Sequence, residues 1–275
     1  MSKLAGRAAL VTGAGCGIGA EIARKLAAEG AAVLVNDLDP EPTNETVAAI
    51  KAAGGEAHAF PGDVAVKDFG ERAVAATIER FGGLDIIVNN AGYIWNTAIQ
   101  NMSDEQCQAM IDVHATAPFR ILRAATPYIR EASRREAADG TAHHRKVVNI
   151  SSISGLYGAA TQFAYAAGKS ALIGMTRTLA KEWGRYRVNV NAVAFGYIET
   201  RLTQTLKDQP ATIKVHDRDL KVGLDAATTA AMESLIPLGR RGTPAEAAGA
   251  VYLFCTPESD YISGQILVCG GGLLL

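Results

Sequence analysis

The order of apolar runs along this chain predicts an α/β fold: one doubly wound parallel sheet of about seven strands with helices on both faces. Three observations carry the prediction. Short apolar runs alternate with segments of helical period, about 10 to 20 residues each. The runs are continuously apolar, as strands are when both faces of a sheet are covered. A glycine-rich turn joins the first run to the first helix.

Each element follows in order. "AALVT" (Ala8 to Thr12) is the first strand, and "IGAEIARKLAAEG" has helical period after it. "AAVLVND" reads as a strand and "PTNETVAAIKAAGG" as a helix stopped by glycine. "EAHAFPGDV" is a strand and turn, "DFGERAVAATIERFGG" a helix with a glycine stop, and "LDIIVNNAG" a strand. A long helix is predicted from Ser103 to about Ser133, then the strand "KVVNIS", a helix from Phe163 to about Arg185, and the strand "RVNVNAVA". "TPAEAAGAVYLFCT" has a Thr-Pro helix start, and "GQILVCGG" is the last strand. Two segments break the rhythm. "SRREAADGTAHHRK" is a charged insert expected to be exposed, its His143-His144 pair in a solvated loop. Gly196 to Arg241 is long and irregular, and follows the sixth strand, at the sheet end where ligands bind. A mobile substrate-covering segment is expected there.

The chain has 275 residues, 48% hydrophobic and 20% charged, with a formal net charge of -1. A chain of that size buries roughly 75% of its unfolded surface, enough for a full core. With no linker-like composition shift, residues 1–275 read as one domain. Near-neutral charge removes the electrostatic case for nucleic acid or an anionic membrane. No apolar stretch approaches the roughly 20 residues of a membrane span, and the N-terminus lacks the pattern of a signal peptide. Cys16, Cys107, Cys255 and Cys269 are scattered and the five histidines lack metal spacing, so a reduced, cytoplasmic protein without a metal is expected.

In "VTGAGCGIGA", Gly13, Gly17 and Gly19 permit a tight turn and close approach of backbone amides to a ligand, and the following helix N-terminus favours a pyrophosphate. Asp37 ends the second strand about 20 residues later, where a carboxylate accepts both adenosine ribose hydroxyls and repels a 2′-phosphate. Capping of the turn "NDLDP" is the other reading of Asp37. No basic residue stands at Cys16 or Leu38, so NAD(H) is expected over NADP(H). In "FAYAAGKSAL", Tyr165 and Lys169 lie four apart on one helix face. An ammonium there would lower the phenol from its ordinary value near ~10 and make it a usable proton acceptor. Ser151 and Ser152, in "VVNISSISG", end the fifth strand on the same sheet edge, where a hydroxyl can hold a substrate oxygen.

These pieces resemble the short-chain dehydrogenase/reductase family. "TGAGCGIG", "NNAG", "NISS", "YAAGK" and "FGYIET" occur in the family's order over nearly the whole chain. The resemblance implies a Rossmann-like fold in which Gly13, Cys16, Gly17, Ile18 and Gly19 form the cofactor turn. It implies Asp37 and Leu38 at the adenosine ribose, Asp63 and Val64 at the adenine, and Asn90, Ala91 and Gly92 against the cofactor. Ile198 and Thr200 match contacts to the carboxamide and phosphate. Ser152 matches the catalytic serine, Tyr165 the general acid/base, and Lys169 the residue that tunes the tyrosine and holds the nicotinamide ribose. A homotetramer is implied as well.

Two positions depart from the family. His114 stands where an asparagine commonly completes a proton relay with the lysine, and reads either as a relay member or as a histidine packed in a helix interface. Phe195-Gly196 replaces the usual Pro-Gly. The expected reaction is hydride transfer between NAD(H) and a secondary alcohol or ketone. Leu156, Tyr157 and Phe163 suggest an apolar, acyl- or steroid-like substrate. The motifs look most similar to 3-oxoacyl-carrier-protein reductases, which usually prefer NADPH, and to hydroxysteroid dehydrogenases. An acyl-carrier partner would use Arg120, Arg123 and Arg130. A dinucleotide-binding regulatory protein without catalysis and a sugar or polyol dehydrogenase stay open.

Overall fold

The computed structural model describes residues 2–201, 203–204, 211–215, 218–223 and 225–273. Its main sheet has seven parallel strands in the order β3-β2-β1-β4-β5-β6-β9. They are β1 (Ala8–Val11), β2 (Ala32–Val35), β3 (Glu56–Ala59), β4 (Ile86–Asn89), β5 (Arg145–Ser152), β6 (Val188–Phe195) and β9 (Ile266–Cys269). Strand order reverses between β1 and β4, which pair in parallel from Ala9↔Ile86 to Val11↔Val88. A crevice therefore opens beyond Val11 and Asn89, at the carboxyl ends of these two strands.

Helices cover both faces, which is why the strands are apolar throughout. On one face α1 (Gly17–Ala28), α2 (Pro40–Ala52) and α9 (Pro244–Cys255) bury Ile22, Leu26, Val47 and Phe254 against the sheet. On the other, α3 (Phe69–Phe81), α4 (Asp104–Ile111), α5 (Ala117–Ala138) and α7 (Phe163–Trp183) bury Phe69, Met110, Ile121 and Trp183. Thr243 opens α9 with a capping box closed by Glu246, the helix start read from Thr-Pro.

The predicted long helix from Ser103 is interrupted. α4 and α5 are joined by one wide π-turn, Asp112–Thr116, with His114 at its centre. Such turns insert an extra residue into the helical ladder and re-aim the side chains they carry.

Two expectations need correction. The segment after β6 is not simply irregular: it holds an antiparallel hairpin, β7 (Ala211–Val215) with β8 (Arg218–Val222), and α8 (Ala226–Ser234). Val215 and Leu220 are buried, so the hairpin is anchored by its apolar positions. Of the polar stretch from Thr200 to Gln209, residues 202 and 205–209 lie outside the described residues. The charged insert is also not wholly solvated. α5 runs into it to Ala138, and His143 folds back onto the buried carboxylate of Asp85, with Nε2 2.5 Å from Oδ1. A buried carboxylate without a donor is costly, and this contact supplies one.

Candidate active site

The crevice between β1 and β4 deepens into a cavity of about 710 Å³, within the size range of small-molecule sites. Every catalytic and cofactor-binding candidate named from the sequence lines it, from the glycine turn at one end to Ser152, Tyr165, Lys169 and His114 at the other. Leu156, Tyr157 and Phe163 do not, and Tyr157 and Phe163 are half-exposed. Leu156 and Tyr157 belong to the short helix α6 (Ile153–Tyr157) and Phe163 to the start of α7. Ser154 and Gln162 face the cavity from the same stretch. Opposite them, Ile94, Val113, Tyr197, Val215 and Met232 supply an apolar wall.

The glycine turn is built for close approach. Gly13 has φ +62°, and a Cβ there would lie 2.6 Å from the Cα of Ala91. A Cβ on Gly19 would land on the carbonyl oxygen of Gly13. Asn90 pins the turn from β4, its Nδ2 donating to the carbonyls of Thr12 (2.9 Å) and Gly13 (2.8 Å). Thr12 Oγ1 accepts in return from the N–H of Asn90 and of Ala91, each at 3.1 Å. The "NNAG" segment thus holds the phosphate-type turn in shape. α1 starts beside it with no acidic residue in its first turn, which leaves its dipole open to an anion.

Asp37 closes the far side. Its Oδ2 accepts from Gly15 N and its Oδ1 from Leu38 N, at 2.8 and 2.7 Å. Those bonds aim the carboxylate into the crevice and leave each oxygen a further lone pair. Turn capping and ligand binding, the two readings of this residue, are therefore compatible. At the β6 end a Cβ on Gly196 would lie 2.7 Å from Gly270 Cα, so the glycine kept beside Phe195 is required by packing.

At the other end, polar chains fix Ser152, Tyr165 and Lys169. Asn89 Nδ2 donates to Asn149 Oδ1 (2.8 Å), and Asn149 Nδ2 to Thr176 Oγ1 (2.9 Å), linking β4, β5 and α7. Ser151 Oγ donates to the carbonyl of Lys169 at 2.9 Å. Lys169 Nζ donates to the carbonyl of Ile150 at 2.8 Å and lies 5.7 Å from the centre of the Tyr165 ring. Ser152 lies beside the Tyr165 phenol, close enough to lower its proton affinity, and its Oγ accepts from Ser154 N at 3.1 Å. The sequence thus brings serine, phenol and ammonium together as expected. It misjudges the electrostatics. Burial pushes the phenol up to about 12, with Ser152 pulling the other way, and burial pushes Lys169 down to about 7. Desolvation is the dominant cause in both groups, and Nζ spends a donor on a backbone carbonyl.

His114 is buried, 1% exposed, and stacks edge-on against Tyr165 with ring centres 5.0 Å apart. Burial holds it well below the usual histidine value, and the Lys169 charge adds to this against the hydrogen bond it gives to the Tyr93 carbonyl. The ring is neutral, with Nε2–H donating to the Tyr93 carbonyl at 2.8 Å. Nδ1 is left as a buried acceptor without a protein partner.

A family model described as short chain dehydrogenase matches residues 7–211. The chain belongs to the short-chain dehydrogenase family. Curated relatives include the short-chain reductase protein NovJ of Streptomyces niveus, 38% identical over 96% of this chain and 92% of that one. The 3-oxoacyl-[acyl-carrier-protein] reductase FabG of Thermotoga maritima is 32% identical over 99% of this chain and 100% of its own. A crystal structure of a protein described as a short-chain alcohol dehydrogenase from Sinorhizobium meliloti superposes with TM-score 0.85 at 31% identity, covering 98% of this chain and 97% of that one. As a short-chain dehydrogenase the chain is an oxidoreductase acting on ketones, and the family implies a nicotinamide dinucleotide. The residues present fit that group: a turn in which Gly13 and Gly19 leave no room for a Cβ, an open helix N-terminus and an aimed carboxylate. Among the described residues no His/Cys/Asp/Glu cluster suits a metal, and no helix is long and apolar enough to cross a membrane.

Sequence reasoning missed Arg201. It sought a basic residue beside positions 16 and 38, whereas Arg201 reaches Cys16 from 185 residues further along the chain. The only signal was its place directly after "FGYIET".

Proposed function

We propose that this short-chain dehydrogenase interconverts a ketone and its secondary alcohol with NAD(H), preferred over NADP(H), the substrate being apolar and acyl- or steroid-like. The dinucleotide, when bound, supplies or accepts the hydride. Tyr165 gives its phenolic proton to the carbonyl oxygen during reduction and takes it back from the alcohol during oxidation. Ser152 Oγ donates a hydrogen bond to the same oxygen and holds it beside the phenol. Lys169 positions the nicotinamide ribose from the helical turn after Tyr165. Asp37 accepts the adenosine ribose hydroxyls, with Asp63 and Val64 beside the adenine. One observation carries the reading: Ser152, Tyr165 and Lys169 line the same cavity as a glycine turn whose Gly13 and Gly19 leave no room for a Cβ.

The apolar substrate class is supported by the wall of Ile94, Val113, Tyr197, Val215 and Met232. Likeness to 3-oxoacyl-[acyl-carrier-protein] reductases favours a 3-oxoacyl group over a steroid, and makes an acyl carrier a candidate partner. Arg120 is the weakest of the proposed carrier contacts, because it already donates to the Ala65 carbonyl at 2.7 Å. The working form is proposed to be a cytoplasmic homotetramer, to be checked by light scattering.

The experiment is NADH- and NADPH-linked reduction of a 3-oxoacyl thioester, followed at 340 nm. Tyr165→Phe should lower kcat about 10²- to 10⁴-fold with little change in NADH affinity. Asp37→Ala should narrow the preference for NADH. Full turnover by Tyr165→Phe, or equal use of both dinucleotides by the wild type, overturns the corresponding part.

A further inference from the structure

A second cation enters the cofactor cleft from a distant part of the chain. Cys16 caps α1 with extended backbone and makes no side-chain cap bond. The first N–H groups of that helix keep their capacity for an external anion. Arg201 lays Nη2 2.8 Å from Cys16 Sγ. A thiol is a weak acceptor, whereas a guanidinium carries five donors and a full charge. Among the described residues no carboxylate pairs with Arg201, while its sequence neighbour Glu199 faces Arg241 at 3.6 Å.

The backbone that carries Arg201 is braced. Thr203 Oγ1 accepts from Thr200 N at 3.0 Å and donates to the Ile198 carbonyl at 2.5 Å, and Glu199 N donates to the Gly242 carbonyl at 2.8 Å. A braced turn thus presents a cation whose side-chain partner, among the described residues, is a thiol.

The charge balance of the cavity gives this cation a task. Asp37, Asp39, Asp63 and Asp112 line it, against Lys169 and Arg201. Lys169 belongs to the Tyr165 end. A dinucleotide brings two further negative charges in its pyrophosphate, and at the glycine-turn end Arg201 is the cation that can offset them.

We propose that Arg201 closes over the glycine turn and pairs with the dinucleotide pyrophosphate, exchanging the Cys16 thiol for phosphate oxygens. The proposal rests on the reading of this cleft as a dinucleotide site. The pyrophosphate is favoured over a ribose 2′-phosphate because Asp37 stands at the ribose position and repels a phosphate there.

The test is titration of wild type, Arg201→Gln and Arg201→Lys with NADH, NADPH, ADP-ribose and adenosine, by fluorescence and calorimetry. Arg201→Gln should weaken NADH and ADP-ribose about tenfold, a loss that shrinks as salt is raised. Arg201→Lys should lose less, and adenosine, which lacks phosphate, should bind all three alike. Equal NADH affinity in wild type and Arg201→Gln overturns the clamp alone. A loss confined to NADPH overturns it in favour of a 2′-phosphate reader. A wild-type chain that binds neither dinucleotide overturns the cofactor reading and the clamp together.

Discussion

Tyr165 and Lys169 are one helical turn apart, yet each is held away from the state its chemistry needs. Burial keeps the phenol protonated up to about 12 and strips Lys169 of its proton above about 7. For Lys169 the sign follows from linkage. The unfolded chain binds this proton up to the ordinary lysine value near ~10, and the folded chain releases it near 7, so stability from this group rises with pH across that window. Lys169→Met should therefore raise the stability near pH ~8 by about 1 kcal/mol or more while lowering kcat at least about 10²-fold. Chemical denaturation beside initial rates checks both, and a variant that is less stable and fully active contradicts the account. His114 makes a different prediction. Its neutral Nδ1 points into buried space beside Tyr165 and can accept from a water shared with Lys169. We expect His114→Asn to keep most of the rate and His114→Ala to lose about tenfold or more, with equal rates in all three assigning the ring to packing alone. Serine, phenol and lysine were legible from their spacing, but the direction of the phenol's shift was not, because sequence does not reveal how far each group is desolvated.

Among the elements, the first glycine turn and the π-turn do most to shape the site. The former was readable because glycine is the only residue whose presence there announces close approach of backbone. The latter was not, since "MIDVHATAPF" continues a helical period and nothing in its composition marks an inserted residue. The tight fit around the π-turn is visible only in three dimensions: a Cβ on Gly168 would lie 2.8 Å from His114 Cβ, and one on Gly92 would strike the imidazole. The hairpin β7–β8 escaped for a related reason, being two short strands with no glycine or proline between them to announce a turn. At this scale the prediction concerns Gly19. Its added methyl would meet a backbone carbonyl, which cannot rotate away, so the strand-to-helix turn itself must shift. Gly19→Ala should cost about 1–3 kcal/mol of stability and weaken NADH binding about tenfold or more. Thermal melting and fluorescence titration decide; retained affinity for NADH means the turn does not hold the cofactor.

Over the whole molecule, the parallel sheet separates chemistry from anchoring. Strand carboxyl ends carry the glycine turn, Ser152 and Asp37, and strand amino ends carry a buried polar knot. The alternation of apolar runs and helices made seven strands and both covered faces legible, because parallel strands buried on both sides leave no other pattern. The knot was not legible, since His143 lies 58 residues from the carboxylate it meets. Asp85 sits just before β4. Its Oδ2 accepts from Ala8 N at 2.8 Å, its Oδ1 from His143 Nε2 at 2.5 Å, and Arg7 stands 3.8 Å away. One carboxylate thus joins β1, β4 and the segment that leads into β5. Burial raises its proton affinity, but the donors from His143 and Ala8 outweigh burial and hold the group below the usual aspartate value. An acid whose folded value is depressed contributes stability that is complete above the unfolded value near ~4 and is lost as pH falls through the folded one. Asp85→Asn should remove about 1–3 kcal/mol at neutral pH, flatten the acid limb of the stability curve, and leave kcat within about twofold, because the change lies at the strand ends remote from Tyr165. Urea unfolding across pH, with turnover measured on the same samples, provides the check. An unchanged acid limb would show that the knot does not bear the pH dependence, and a collapse of kcat without loss of stability would join the two ends of the sheet that the geometry keeps apart.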